Sequence, residues 1–251
     1  MVVVENLDIA NGILLLVFSI ISLIVGFKIM AKYFKFKRKE FLFLGLAWIA
    51  LASPWYPGTI SFILVFILGT EKLYTELYFL IGNVLIPPCF VLWLVVFTDL
   101  LLKKKQKLIV ILFAIVNALY LVVFLYFLFT NPIVIGELKG DTDVQYYNFV
   151  MIYDVCLILI TFLTGIIFVR QTLKSDLQEI RLKGRLLYVA FTSFFIGATL
   201  NTILPLNIVT LVIFRTFEIL SAITFYGGFT LPEWMKKLFL KNKNSNLKKT
   251  Q

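Results

Sequence analysis

The chain has 251 residues, 61% of them hydrophobic, with 26 Phe and a net charge of +10. A soluble domain of this length does not need so much apolar surface. The positive charge does not point to nucleic acid, because it is placed beside long apolar runs, where it meets headgroups and lipid phosphates.

The first residues, 1–10, are acidic and carry no basic residue. Without a basic n-region or a small-residue cleavage site, the apolar run that follows reads as a retained span and not a removed signal peptide. Span 1 is expected over 10–30 and is followed by Lys32, Lys35, Lys37, Arg38 and Lys39. Span 2 begins near Phe41 and reaches Leu68, interrupted by Ser53-Pro54-Trp55-Tyr56-Pro57-Gly58. Each proline removes a backbone donor, so this span is kinked or locally unwound. Two readings stay open here: a broken helix lining a binding site, or a helix reaching the outer interface with Trp55 and Tyr56 as belt residues.

Span 3 is expected over 74–102, with Pro87-Pro88 in its middle and a lysine cluster at 103–107 closing it. Span 4 covers 108–130. The longest outer loop follows, with Glu137, Asp141 and Asp143 against one Lys139. Span 5 covers 146–169, and an amphipathic basic loop leads to span 6 at 186–204 and span 7 at 207–229. The runs of spans 2 and 3 are too long for upright helices, so tilt, kinking or extension into the interface must absorb the excess. Only a few residues around Asn201 and Pro205 separate spans 6 and 7.

Charge tests the count. Of the 24 Lys and Arg, 21 fall into four segments that the odd-numbered spans and the last tail place on one side, whereas the other side carries only Lys72 and Lys139. The positive-inside rule then places the N-terminus outside and the C-terminus in the cytoplasm. The expected fold is all-α, a seven-transmembrane helix bundle over 1–229, with an amphipathic helix and a basic cytoplasmic tail over 230–251. The expected location is the cell membrane, multi-pass.

Charge inside the spans is the sharpest functional signal. Asp154 and Arg215 each lie about eight residues in from the outer side, roughly 12 Å deep at 1.5 Å per residue. Glu218 follows Arg215 by three residues, on nearly the same helix face. Such charges are costly in lipid and should face the bundle interior and find partners. The expectation is a buried network of Asp154, Arg215 and Glu218, joined by Asn83 and Tyr153. It is either a ligand or ion site that rearranges on stimulus, or a static cluster that fixes helix packing. Asn117 is a second candidate for interhelical hydrogen bonding, and Asp99 is expected to pair with the lysines that follow it.

Several chemistries are excluded. Zinc-dependent seven-span hydrolysis needs histidines, and the chain has none. A retinal Schiff base needs a lysine in span 7, where Arg215 stands instead. A carboxylate dyad sharing a proton is disfavoured by Arg215 beside Glu218. No nucleotide-binding loop is present. No enzymatic activity, cofactor or metal is expected. Cys89 and Cys156 read as packed thiols.

After span 7, Gly227-Gly228 and Pro232 are expected to end the helix. Glu233 to Leu240 then sets Trp234, Leu238 and Phe239 against Lys236 and Lys237. This is the pattern of a short interfacial helix, with Trp234, Lys236 and Lys237 as its lipid contacts.

Arg215-x-x-Glu218 followed by FYGGFTLPEWMKKLF over 225–239 resembles the end of a seven-helix membrane sensor region of prokaryotes. In that family the region commonly precedes a histidine kinase or another cytoplasmic signalling module. The resemblance covers about 25 residues and the seven-span layout. It implies a sensor or receptor-like protein that binds a small or lipophilic ligand. No kinase module appears in this sequence, so output is expected through a cytoplasmic signalling partner or the inner loops. Expected partners are therefore membrane lipids, a small-molecule or lipid ligand and that signalling partner, with no nucleic acid. A secondary transporter or channel and a non-catalytic assembly protein are the alternatives.

Overall fold

The computed structural model describes residues 2–240; the basic tail over 241–251 lies outside the described residues. Seven helices or broken helices are long and apolar enough to cross a membrane, as in a multi-pass membrane protein. Span 1 is α1 (Val2–Phe36). Span 2 is built from α2 (Lys39–Leu51), a 3-10 turn (Ser53–Trp55), α3 (Tyr56–Phe62) and a π turn (Ile63–Ile67). Span 3 is α4 (Thr75–Asn83) followed by α5 (Ile86–Leu101). Span 4 is a 3-10 turn and α6 (Gln106–Thr130), span 5 is α7 (Asn148–Leu173), span 6 is α8 (Gln178–Ile203) and span 7 is α9 (Ile208–Thr230). A last helix, α10, covers Glu233–Leu240.

Prolines place the breaks. Pro54 and Pro57 stand in the first turns of the 3-10 turn and of α3, and Pro87 and Pro88 open α5. A proline there gives up an amide that would have no helical partner anyway. Serines take part in closing the opened region: Ser53 Oγ donates to the Gly82 carbonyl at 3.1 Å, and Ser61 Oγ accepts from the Leu73 amide at 3.4 Å. In the break of span 2, Trp55 is not an exposed belt residue. Trp55 is buried between Phe18 and Phe194, with ring centroids 5.0 and 6.3 Å away.

The helices form a ring. α1 packs on α2 and α9, α2 on α5, α5 on α6 and α7, α7 on α8, and α8 on α9. Span 3 is the most enclosed and span 4 the least, with 56% and 11% of their apolar windows buried. The face of α6 carrying Leu108, Leu112, Leu119, Val122 and Phe129 is accordingly exposed, as a helix beside lipid should be.

The loop between spans 4 and 5 departs from an all-α reading. It folds as an antiparallel hairpin, β1 (Gly136–Lys139) with β2 (Asp143–Tyr146), paired Gly136 to Tyr146 and Lys139 to Asp143. Gly140 takes φ +82° in its turn. The boundary between spans 6 and 7 is sharp, because Asn207 caps α9 in a reciprocal capping box with Thr210. At the other end of α9 the glycines do not end the helix. It continues through Gly227 and Gly228 to Thr230, and the left-handed Leu231 (φ 43°) and Pro232 turn the chain. The two glycines instead admit close packing: a Cβ on Gly227 would collide with Met235, and one on Gly228 with Leu187.

Candidate functional site

The buried charges lie at the hairpin end of the ring. Arg215 Nη1 donates to Glu218 Oε2 at 2.6 Å, the spacing of three residues on α9 bringing the two together. Both are enclosed, with 4% and 0% of their side chains exposed. The second guanidinium nitrogen, Nη2, donates to Asn11 Oδ1 of α1 at 2.9 Å.

From Asn11 the hydrogen bonds continue into the hairpin. Asn11 Nδ2 donates to the Thr142 carbonyl at 3.3 Å and to its hydroxyl at 3.1 Å. The Thr142 amide and hydroxyl donate to Asp8 Oδ1 at 3.1 and 2.9 Å, and the Asp141 amide reaches the same oxygen at 3.1 Å. Tyr78 Oη donates to the Thr142 carbonyl at 3.1 Å. At the rim Lys72 Nζ meets Asp141 at 3.0 Å and the Gly140 carbonyl at 2.8 Å. An unbroken chain of polar contacts therefore links Glu218, deep in α9, to the hairpin turn.

Under the hairpin lies a cavity of about 130 Å³. On this measure one water needs roughly 10–15 Å³, so the space has room for a small molecule or a water cluster. Thr142, Asp143, Gln145 and Tyr146 close it at the hairpin end, beside Asp154 and Arg215. Farther in, its walls are Trp48, Trp55, Trp93, Phe90, Phe194 and Phe225. Trp48 stacks on Phe225 with centroids 4.0 Å apart, and Trp93 Nε1 donates to Thr164 Oγ1 at 2.8 Å.

Four cavity-lining side chains carry buried polar atoms without hydrogen-bond partners among the described residues: Asp154 Oδ1, Arg215 Nε, Trp48 Nε1 and Trp55 Nε1. The Trp55 indole faces Glu218, whose Oε1 is likewise without a hydrogen-bond partner among the described residues. Buried polar atoms are seldom left unpaired, since each costs about 1–3 kcal/mol.

The expected network divides into three parts. Arg215 and Glu218 pair directly. Asp154 shares the cavity with Arg215 without bonding to it; no ion pair among the described residues includes Asp154. Asn83 belongs to the hairpin side, its Nδ2 donating to Tyr146 Oη and to the Phe79 carbonyl, both at 2.9 Å. Tyr153 turns away from the cavity, toward span 4. Its hydroxyl donates to Asn117 Oδ1 at 2.5 Å and its ring stacks on Tyr120 at 3.4 Å. Neighbours on a helix point about 100° apart, so Tyr153 and Asp154 cannot serve the same wall.

Asn11, Asp8 and Thr142 complete the site without having been singled out in the sequence. Asn11 and Asp8 stand at the opening of the first apolar run, where isolated polar residues are the one available signal. Outside the spans, burial raises the Asp143 carboxyl to about 6. Lys139 and Tyr147 hold the exposed Glu137 carboxyl below its ordinary value.

At the lysine-rich end, Met235 of α10 packs on Leu182, Leu186 and Leu231, and Lys236 pairs with Glu179. Trp234, Leu238 and Phe239 are exposed. Lys32 Nζ donates to the Thr230 carbonyl at 2.8 Å, tying α1 to the end of α9. Asp99 pairs with Lys103 at 3.2 Å.

Comparison of the chain with family models, curated proteins and solved structures finds no match.

Proposed function

We propose that this protein is a seven-helix membrane sensor that binds a small or lipophilic ligand in the hairpin-capped cavity. One observation carries the reading: four side chains on the cavity wall hold buried polar atoms with no partner among the described residues. A bundle built only to pack would close such a space or satisfy those atoms. The hairpin end is outside and the lysine-rich end in the cytoplasm, as the charge asymmetry requires. α10 lies in the cytoplasmic interface, with Trp234 among the headgroups and Lys236 and Lys237 toward anionic lipid.

The route for a signal is short. A ligand that engages Asp154 or Arg215 Nε changes the setting of Arg215, which is bonded both to α9 and, through Asn11, to the hairpin. α9 runs 23 residues without a break, about 34 Å. A shift at Arg215 therefore reaches Thr230, its Lys32 contact and α10 at the face offered to a cytoplasmic partner. Transport takes second place, because no lysine or arginine of the cytoplasmic end lines the cavity.

Two measurements test the proposal. A cysteine at position 137 should react with a membrane-impermeant maleimide on intact cells; labelling only after lysis rejects the orientation. In nanodiscs, a fluorophore at position 239 should respond to a cavity ligand in the wild-type chain and stay silent in Arg215→Met. A response that survives Arg215→Met rejects the route.

A further inference from the structure

The sensor reading leaves the ligand's chemistry open, and the charges around the cavity narrow it. Resting on that reading, we infer that the cavity takes a protonated amine on an aromatic-sized apolar body, with Asp154 as its counter-ion.

Three acidic or basic side chains line the space: Asp143, Asp154 and Arg215. The positive charge among them is already answered. Glu218 accepts from Nη1 and Asn11 from Nη2, so the charge of Arg215 is already paired with a carboxylate, and Nε is its one nitrogen with no partner among the described residues. The lysines at the rim lie outside the cavity, Lys72 on Asp141 and Lys139 on Glu137. The uncompensated charge is therefore negative. Asp154 is 8% exposed, and its Oδ1 has no partner among the described residues. An anionic ligand would have to approach two carboxylates to reach a guanidinium that Glu218 already neutralises. An ammonium group supplies both the charge and the donors that Asp154 lacks.

The walls suit what the ammonium carries. From Asp154 the lining follows one face of α7 through Leu157, Ile158 and Thr161, the three-, four- and seven-residue spacing of a helical stripe. Trp93, bonded to Thr164, marks the inner end of that stripe, about 15 Å along α7 from Asp154. Trp48, Phe194 and Phe225 line the same space. Aromatic walls attract a cation that is not fully seated on its counter-ion and bury an apolar body once it is. The polar end of the ligand lies under the hairpin and its apolar end points into the bundle.

The full chain in lipid nanodiscs at pH 7 is titrated with 2-phenylethylamine, 2-phenylethanol and 3-phenylpropionate, three probes that share a phenylethyl body and differ in charge. Binding is read by tryptophan fluorescence and by the shift in thermal unfolding. The amine should bind at least tenfold tighter than the alcohol, and the acid should bind weakest. Asp154→Asn should lower amine affinity tenfold or more and leave the alcohol unchanged. If that variant does not fold, the three-probe comparison on the wild-type chain decides alone. Equal or tighter binding of the alcohol or the acid overturns the amine and leaves the sensor reading standing. An Asp154→Asn chain that binds the amine as before overturns it equally. Binding of none of the three overturns the amine and removes the support for a small-molecule sensor.

Discussion

The Arg215–Glu218 pair offers a decisive perturbation. Glu218→Leu removes the charged acceptor at 2.6 Å and leaves a guanidinium whose remaining acceptor, Asn11 Oδ1, is neutral. With only 4% of the Arg215 side chain exposed, water cannot replace the lost partner. Removing one member of a buried pair costs about 3–5 kcal/mol, whereas exchanging both for apolar residues of similar volume is often neutral. Glu218→Leu should therefore cost about 3–5 kcal/mol. Arg215→Met with Glu218→Leu should return to within about 1–2 kcal/mol of wild type, the residue being the donor that Asn11 then loses. The second change then recovers about 1–4 kcal/mol of what the first costs. Reversible unfolding in mixed detergent–SDS micelles, followed by tryptophan fluorescence, measures both variants against the wild type. A single variant within 1 kcal/mol of wild type, or a double variant as unstable as the single, would refute the desolvated pair.

Gly58 lies against the hairpin, where an added Cβ would stand 2.6 Å from the Thr142 carbonyl and 2.7 Å from Leu15. Gly58→Ala should cost about 1–3 kcal/mol by overpacking and speed amide exchange over 136–146; unchanged exchange would contradict the seating of the hairpin. Asp143 titrates near 3.8 when unfolded and at about 6 when folded. The folded chain binds more protons between those values, so this group's contribution to stability is complete below about 4 and lost as pH rises through about 6. Asp143→Asn should flatten that slope and stabilise the protein at pH 7–8 by about 1–2 kcal/mol, allowing for partial exposure; an unaltered pH profile counts against it. Met235→Asp should release α10 from Leu182 and Leu186. Burial of a methionine stabilises by about 1.5–3 kcal/mol, so trypsin cleavage at Lys236 and Lys237 should accelerate tenfold or more; an unchanged rate would mean that α10 is held by something else.

Apolar length and the placement of lysine were enough to read seven spans from the sequence. Both act locally: about 20 apolar residues are needed to cross the hydrocarbon, whatever their neighbours. The same holds for the breaks at Pro54, Pro57 and Pro87, which follow from a missing amide. The pairing of Arg215 with Glu218 was legible too, because a three-residue spacing on a helix is a contact rule. Charge distribution in the sequence argued for an orientation, but only through a rule that involves the membrane.

Contacts between distant segments were left to the tertiary structure. Asn11 meets Arg215 across 204 positions and Thr142 across 131. No periodicity encodes such a distance; it follows from α1 closing the ring against α9. The hairpin was hidden because its four-residue strands are short and rest on the ends of α1 and α4. Trp55 was ambiguous between belt and core until the ring placed Phe18 and Phe194 on either side of it. The cavity belongs to the same class of property. A sequence determines which residues are apolar enough to be buried, but a space with unpartnered atoms on its walls exists only where several helices fail to fill the volume between them.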